Sequence, residues 1–393
     1  MKDTTTDGSS RRFDLPLPPP PDALRIGPLR EGTFRSRLHE PRTAVVLGRW
    51  LGAAIVLCFL TGLLSHGLQE PPGWLRALLT SRPVDGYRVT QGLHVIAGTA
   101  AIPLLGAKLW TVYPRLFEWP PARSVLHLLE RAAIAVLVAA TLLELFTGLL
   151  NTLQWYPWPF PFRQTHFWLG WTITGALLLH VAAKAATITE HWWRPRLPLP
   201  GRRAFLGTVA ASVTAVTLTT AGQTVPWLRG LDLLAPRRPD LGPQGLPVNR
   251  TAAQAGTTTV PADWHLTVDG PTPLRLSLSD LRALPQHSAR LPISCVEGWS
   301  ASADWTGVRL RDLLDLARVP ADARLRIVSL ETSGPYAVTT MEPVYARDPL
   351  TLLALAVNGQ VLDADHGHPA RVIAPNRPGV LQTKWVSRIE VLG

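Results

Sequence analysis

The sequence predicts a helical membrane bundle of about five transmembrane helices, followed by a domain of short strands and helices outside the membrane. Three observations lead there. The 393-residue chain is 46% hydrophobic with a mean hydropathy of +0.12, high for a soluble protein, and the excess lies in roughly the first 230 residues. Apolar stretches in that part each approach the roughly 20 residues that cross a bilayer. Beyond them a proline-rich segment gives way to short alternating runs bounded by turn residues.

Residues 1–43 are polar and rich in Pro and Arg, with Pro16 and the run Pro18 to Pro21, and read as a disordered tail rather than a cleavable signal peptide. Apolar segments at 44–65, 92–112, 128–150 and 166–187 make a four-helix membrane domain over 44–190, and a fifth at 204–226 closes the stretch 191–226. Arg30, Arg35, Arg37 and Arg42 lie before the first helix, Arg115, Arg123 and Arg131 between the second and third, and Lys184, Arg194, Arg196, Arg202 and Arg203 between the fourth and fifth. The loop between the third and fourth holds Arg163 alone, which puts the N-terminus in the cytoplasm and everything after residue 226 outside it. Arg76, Arg82 and Arg88 run against this count. Trp155, Tyr156, Trp158 and Trp168 read as an aromatic belt on the outer face. The net charge of +11 and pI near 10.5 therefore reflect membrane topology, with a lipid bilayer as partner and no nucleic acid, because the basic residues flank apolar runs instead of forming a stripe interleaved with aromatics.

Histidines inside such segments are costly unless they bind something. His94 near the start of the second helix and His166 near the start of the fourth both lie toward the outer side, where imidazoles facing across a bundle can serve as axial haem ligands. His180 follows His166 by nearly four turns, on the same face and about 21 Å away. The plainer alternative makes them interfacial residues bonded to headgroups or backbone, with His180 in polar contact with Lys108. His66 and Glu144 suit a quinol site, a haem propionate or a simple polar cap. The histidine spacing resembles that of the four-helix b-type cytochrome subunits of formate dehydrogenases and hydrogenases. That resemblance implies haem b and electron exchange with the quinone pool: one haem held by His94 and His166, and a second possible at His180, although Arg49-Trp50 replaces the histidine that those proteins carry at the start of helix one.

The fifth segment opens Gly201-Arg202-Arg203-Ala204-Phe205-Leu206-Gly207, which looks like a twin-arginine export signal retained as an anchor; two ordinary positive-inside arginines are the alternative. The signal implies the twin-arginine export machinery as a partner, which carries folded, cofactor-loaded cargo.

Residues 227–258 read as an irregular linker to a domain at 259–393. In it, 264–268 alternates as a strand closed by Asp269-Gly270, 278–284 and 310–317 read as short helices opened by Ser279 and by Arg309 with Asp312, and 324–330 and 370–373 as further strands. Two cysteines cannot form a disulfide framework or a zinc site. Cys58 reads as an apolar filler. Cys295 stands in Pro292-Ile293-Ser294-Cys295-Val296-Glu297-Gly298-Trp299-Ser300, continued by Trp305-Thr306-Gly307-Val308-Arg309-Leu310. With His366-Gly367-His368-Pro369-Ala370-Arg371 and Lys384-Trp385-Val386-Ser387-Arg388-Ile389, this run resembles the molybdopterin-dependent oxidoreductases of the sulfite oxidase fold.

The resemblance implies an α+β sulfite-oxidase-like domain in which Cys295 is the catalytic cysteine and the single protein ligand of molybdenum. It implies that His366, Arg371, Lys384 and Trp385 bind the molybdopterin, with Asn249 and Arg250 as an altered pterin loop and Tyr336 and Arg347 lining the substrate pocket. Val296-Glu297-Gly298-Trp299 stands where sulfite oxidases carry a basic, anion-receiving stretch. The chain thus looks more like the bacterial extracytoplasmic branch that includes protein methionine sulfoxide reductase. Pro375-Asn376-Arg377-Pro378-Gly379 replaces that family's glycine-rich loop. The expected function is oxygen-atom transfer on a small molecule or oxidised side chain, outside the cytoplasm at a bacterial plasma membrane, with electrons carried by haem b. The rival readings are a membrane-anchored binding module of this fold without metal and a haem-only electron-transfer protein.

Overall fold

The computed structural model describes residues 34–118, 123–192, 201–332 and 334–392. Most of the predicted 1–43 tail, with Arg30, and the basic residues Arg194 and Arg196 lie outside the described residues. Eleven α-helical elements are described: α1 Pro41–Gln69, α2 Gly73–Arg76, α3 Gly86–Val112, α4 Val125–Thr152, α5 Phe162–Ala183, α6 Ala185–Trp192, α7 Arg202–Ala221, α8 Ala252–Ala255, α9 Leu278–Ala283, α10 Leu310–Leu316 and α11 Pro343–Ala346. Five of them, α1, α3 with its continuation to Phe117, α4, α5 and α7, are long and apolar enough to cross a membrane. At most 28% of any of these apolar windows is buried by protein, as suits helices whose outward faces meet lipid.

The chain divides into two compact units, one of 1–56, 100–148 and 159–214, the other of 57–99, 149–158 and 215–393. In the first, Leu47 and Leu51 of α1 pack with Ala101, Leu104 and Leu105 of α3 and Val209 of α7. The second holds two five-stranded sheets. One runs β2 (Leu274–Ser277), β1 (His265–Asp269), β10 (Val386–Leu392), β5 (Arg324–Ser329), β6 (Val338–Met341), with β1 and β10 parallel and the other pairs antiparallel. The other runs β3 (His287–Ser294), β4 (Ser300–Arg309), β7 (Leu352–Val357), β8 (Gln360–Val361), with β9 (Arg371–Ile373) also on β7. Leu266 and Val268 of β1, Leu325 and Ile327 of β5 and Ile389 of β10 point into a core shared with Leu310, Leu313 and Leu314 of α10. Their period of two is what buries one face of a sheet.

Two local readings change. The helix at 278 is opened by Ser277, not Ser279: Ser277 has extended backbone, accepts from Asp280 N, and Asp280 returns a bond to the Ser277 amide. A cap must stand three residues ahead of the amide it receives, and Ser279 is already inside the first turn. The segment 227–258 also carries structure of its own, with a 3₁₀ turn at Pro226–Leu231 and α8 capped by Thr251.

Candidate functional site

Strands β3 and β4 pair down to Ser294 opposite Ser300, and the five residues between them form the hairpin tip that carries Cys295. The Cys295 amide donates to Trp299 O (2.9 Å) and the Gly298 amide to Cys295 O (3.1 Å), with Gly298 left-handed at φ +98°. Only glycine adopts that angle without strain. Side chains from distant parts of the same unit grip the tip. Gln91 Nε2 donates to Val296 O (2.9 Å), Asn151 Nδ2 to the same oxygen (3.3 Å), Thr224 Oγ1 to Gly298 O (2.6 Å), and the Ser300 amide to Gln223 O (2.7 Å).

The Cys295 thiol is buried. Asn249 Nδ2 lies 3.5 Å from Sγ, and the thiol contacts the Glu297 carboxylate directly. Gln154 Nε2 donates to Glu297 Oε1 (2.9 Å) and to Asn249 O (3.3 Å), and its own Oε1 takes the Arg237 guanidinium, which also holds Val248 O (2.9 Å). Burial, then the charge of Glu297, pushes the Cys295 thiol up. A cation at sulfur reverses that preference, because a coordinated thiol is deprotonated. Tyr156, read from sequence as a belt aromatic, belongs here too: burial, then the charges of Glu297, Cys295 and Tyr336, raises its phenol to about 12.

The cationic motif residues gather beside the turn at 363–367. Lys384 Nζ donates to Arg250 O (2.8 Å) and Asp365 O (2.7 Å). Arg371, fully buried, donates to His366 O (3.1 Å) and Gln382 O (3.3 Å), with its guanidinium 5.0 Å over the Trp305 ring. Burial lowers Lys384 to about 7 and Arg371 to about 10. His366 is lowered to about 4, again chiefly by burial, and its Nε2 bonds Pro243 O (2.7 Å), so at neutral pH it contributes a hydrogen bond and not a charge. Arg250 pairs with Glu331 (2.8 Å). Trp385, at a left-handed φ of +51°, is buried against Ala252 and Ala255 and donates to Ala364 O (2.8 Å). The Arg347 guanidinium bonds Asp315 and the Val319 and Pro320 carbonyls. The divergent loop at 375–379 has its own seat, since Asn376 bonds the Tyr87 amide (2.7 Å) and Thr80 O (2.7 Å), and a Cβ on Gly379 would lie 2.6 Å from Ser294 O.

These residues suit a pterin-bound metal. Trp299 Nε1, Ser300 Oγ, His368 Nδ1 and Arg371 Nε are buried without a hydrogen-bond partner among the described residues, and buried donors of this kind call for an acceptor. Among the described residues no group of three or more His, Cys, Asp or Glu side chains is placed to hold a metal ion.

The membrane histidines fall in different units. His94, in the second, has Nδ1 at 2.9 Å from Cys58 O and 3.2 Å from Thr61 Oγ1. His166, in the first, sets Nε2 3.2 Å from Glu144 Oε1. His180 Nδ1 is buried without a partner among the described residues, and Lys108 Nζ bonds Ala44 O (2.6 Å). The Arg49 guanidinium lies 4.0 Å over the Trp192 ring.

Residues 254–393 match the protein family described as the oxidoreductase molybdopterin binding domain. The sheet-rich C-terminal part is accordingly a sulfite-oxidase-like molybdopterin domain of the oxidoreductase class, preceded by five helices able to cross a membrane. The chain is 29% identical over 153 residues to the sulfite oxidase of Arabidopsis thaliana (30% of this chain, 39% of the relative). It is 34% identical over 115 residues to the putative protein-methionine-sulfoxide reductase subunit YedZ1 of Azospira oryzae (29% and 43%). It is 31% identical over 154 residues to the protein-methionine-sulfoxide reductase catalytic subunit MsrP of Ralstonia nicotianae (35% and 46%). The chain thus spans less than half the length of each of these three relatives. Asn249, Arg250, Gln154 and Gln91 all lie outside the matched family segment, and no local sequence signal marks the two glutamines as site residues.

Proposed function

We propose that the chain is a membrane-bound molybdenum oxidoreductase that performs oxygen-atom transfer outside the cytoplasm and exchanges electrons with the quinone pool through haem b. The observation that carries the reading is the buried Cys295 thiol at a hairpin tip, in a domain where Trp299 Nε1, Ser300 Oγ, His368 Nδ1 and Arg371 Nε find no hydrogen-bond partner among the described residues. When bound, the molybdenum pterin supplies a two-electron oxygen-atom exchange. Cys295 holds the metal as a thiolate, and Asn249 donates to its sulfur. Arg371 and Lys384 offer cationic donors to the pterin phosphate. Neutral His366 fixes the segment at Pro243, Trp385 packs α8 against the cofactor side, and Arg250 is oriented by Glu331. Tyr336 lines the substrate side. Glu297 beside the sulfur disfavours an anion such as sulfite and leaves a neutral S-oxide, free or on an oxidised side chain, as the fitting substrate.

For haem, the carbonyl bond at His94 Nδ1 would set the tautomer in which Nε2 is the nitrogen able to ligate iron. His166 serves as the second ligand when its Nε2 leaves Glu144, and His180 offers the start of a second site. The N-terminus is assigned to the cytoplasm and the molybdopterin domain to the outer face of a bacterial plasma membrane, delivered by the twin-arginine machinery. The test is Cys295→Ser in the full chain, with elemental and pterin analysis beside a reduced-minus-oxidised spectrum. Turnover is lost while the haem bands stay; unchanged turnover in this variant would overturn the assignment. His94→Ala removes the low-spin b-type signal, because iron left with one protein ligand becomes high-spin or is lost.

A further inference from the structure

The tip that carries Cys295 is held by the helix that carries His94. Gln91 lies one turn ahead of His94 on α3, on the same side of the helix. Its Nε2 donates to Val296 O (2.9 Å), the carbonyl next in sequence to Cys295, and its Oε1 accepts from Ser65 Oγ (3.1 Å), which in turn meets Tyr87 Oη (3.0 Å). Gln91, Ser65 and Tyr87 are all buried, so the amide is fixed at both ends. On the other side of His94, Val95 meets the same tip so closely that a Cβ on Gly298 would lie 2.6 Å from Val95 Cγ2. Helix α3 therefore touches the tip at Val296 and at Gly298, with His94 between the two touching residues. A buried polar network of this kind costs stability unless every member is satisfied, and it fixes one geometry when it is.

We propose that the Gln91 to Val296 hydrogen bond is the electron-transfer contact between a haem held by His94 and molybdenum held by Cys295. This rests on the reading of both cofactors given above. The path runs from His94 along one turn of α3 to the Gln91 amide, across its hydrogen bond to Val296 O, and through the adjoining peptide to Cys295. Electrons cross singly, and two crossings match one oxygen-atom transfer. In the reducing direction an S-oxide takes two electrons and two protons and leaves as the sulfide and water, the electrons being supplied by a quinol that becomes a quinone with release of two protons. Gln91 is a positioning residue and touches neither reacting atom.

The test uses the full-length protein with both cofactors and a flash of photoreduced deazaflavin, following the haem Soret band as electrons equilibrate with molybdenum. Gln91→Met keeps the side-chain volume and removes the donor. It slows equilibration by roughly tenfold, equivalent to about 1.4 kcal/mol on the barrier, with haem and molybdenum contents and the haem spectrum unchanged. Hydrogen exchange at the 295–299 amides rises in the same variant. Ser277→Ala, which removes the α9 cap and no bond to the tip, changes the rate little. Should Gln91→Met lose either centre, Gln91→Asn, whose amide is one methylene short, takes its place. A wild-type rate in a Gln91 variant that holds both centres overturns the inference and leaves the cofactor assignment standing, whereas wild-type protein without haem or molybdenum overturns both.

Discussion

The Lys384 ammonium is buried beneath the Arg250 and Asp365 carbonyls, and burial, then the nearby Arg371 charge, pulls it from the ordinary lysine value of 10.5 down to about 7. The consequence for cofactor-free protein has a definite sign. Between about pH 7 and 10.5 the unfolded chain keeps a proton on this lysine that the folded chain has released. Stability from this group therefore rises with pH across that window. Urea titrations of cofactor-free protein at pH 7 and pH 9 should show the increase, and Lys384→Met should flatten it; an unchanged slope in the variant would show that Lys384 is not the group responsible. Cofactor phosphate works the other way, since an anion beside the ammonium favours its charged form. Cys295 and Cys58 make a related contrast. Both are single thiols, yet Cys58 donates to His94 O (3.4 Å), whereas Cys295 sits against Asn249 and Glu297. Motif residues singled out Cys295, but nothing local to Gln154 says that it reaches Glu297 and Asn249 beside the thiol.

At the scale of elements, the hairpin tip and the caps give measurable costs. Gly298→Ala meets two penalties, a left-handed φ of +98° and the Val95 side chain 2.6 Å from the new Cβ. It should destabilise the second unit by about 1–3 kcal/mol. Chemical denaturation monitored by tryptophan fluorescence reads that loss, and molybdenum content should fall with it. Ser277→Ala removes the hydroxyl half of the box that opens α9, the bond from the residue-277 amide to Asp280 remaining, and should cost about 1 kcal/mol with no effect on cofactor content. The sequence showed β1 and β5 because their burial alternates cleanly. It hid β4, whose Ser-Ala-Ser-Ala-Asp opening reads as a loop although the strand lies between β3 and β7 and packs Trp305 into the core. Small residues carry little hydrophobic signal, yet they suit a strand flanked on both sides: a Cβ on Gly307 would stand 2.1 Å from Leu353 O.

Across the whole molecule, the expected orientation predicts that a reporter fused after the last residue is active only outside the cytoplasm. Replacing Arg202 and Arg203 by Lys should strand that reporter inside if the twin-arginine route is used. Lysine retains the charge that Arg202 sets 2.9 Å from Glu40, so the substitution tests export more than packing. Normal export of the double variant would count against the route. Five bilayer-length helices, a proline-rich break and a cysteine motif with its two downstream partners were all readable from the chain, because hydropathy, turn chemistry and motif spacing are local properties. Tertiary structure alone decided what surrounds the thiol. Gln91, Asn151 and Gln154 precede Cys295 by well over a hundred residues and look like ordinary polar residues near helix ends, yet folding brings their amides to Val296 O and Glu297. A hydrogen bond between such distant residues leaves no periodic trace in sequence; it exists because a buried carbonyl or carboxylate needs a donor, and the fold determines which donors are within reach.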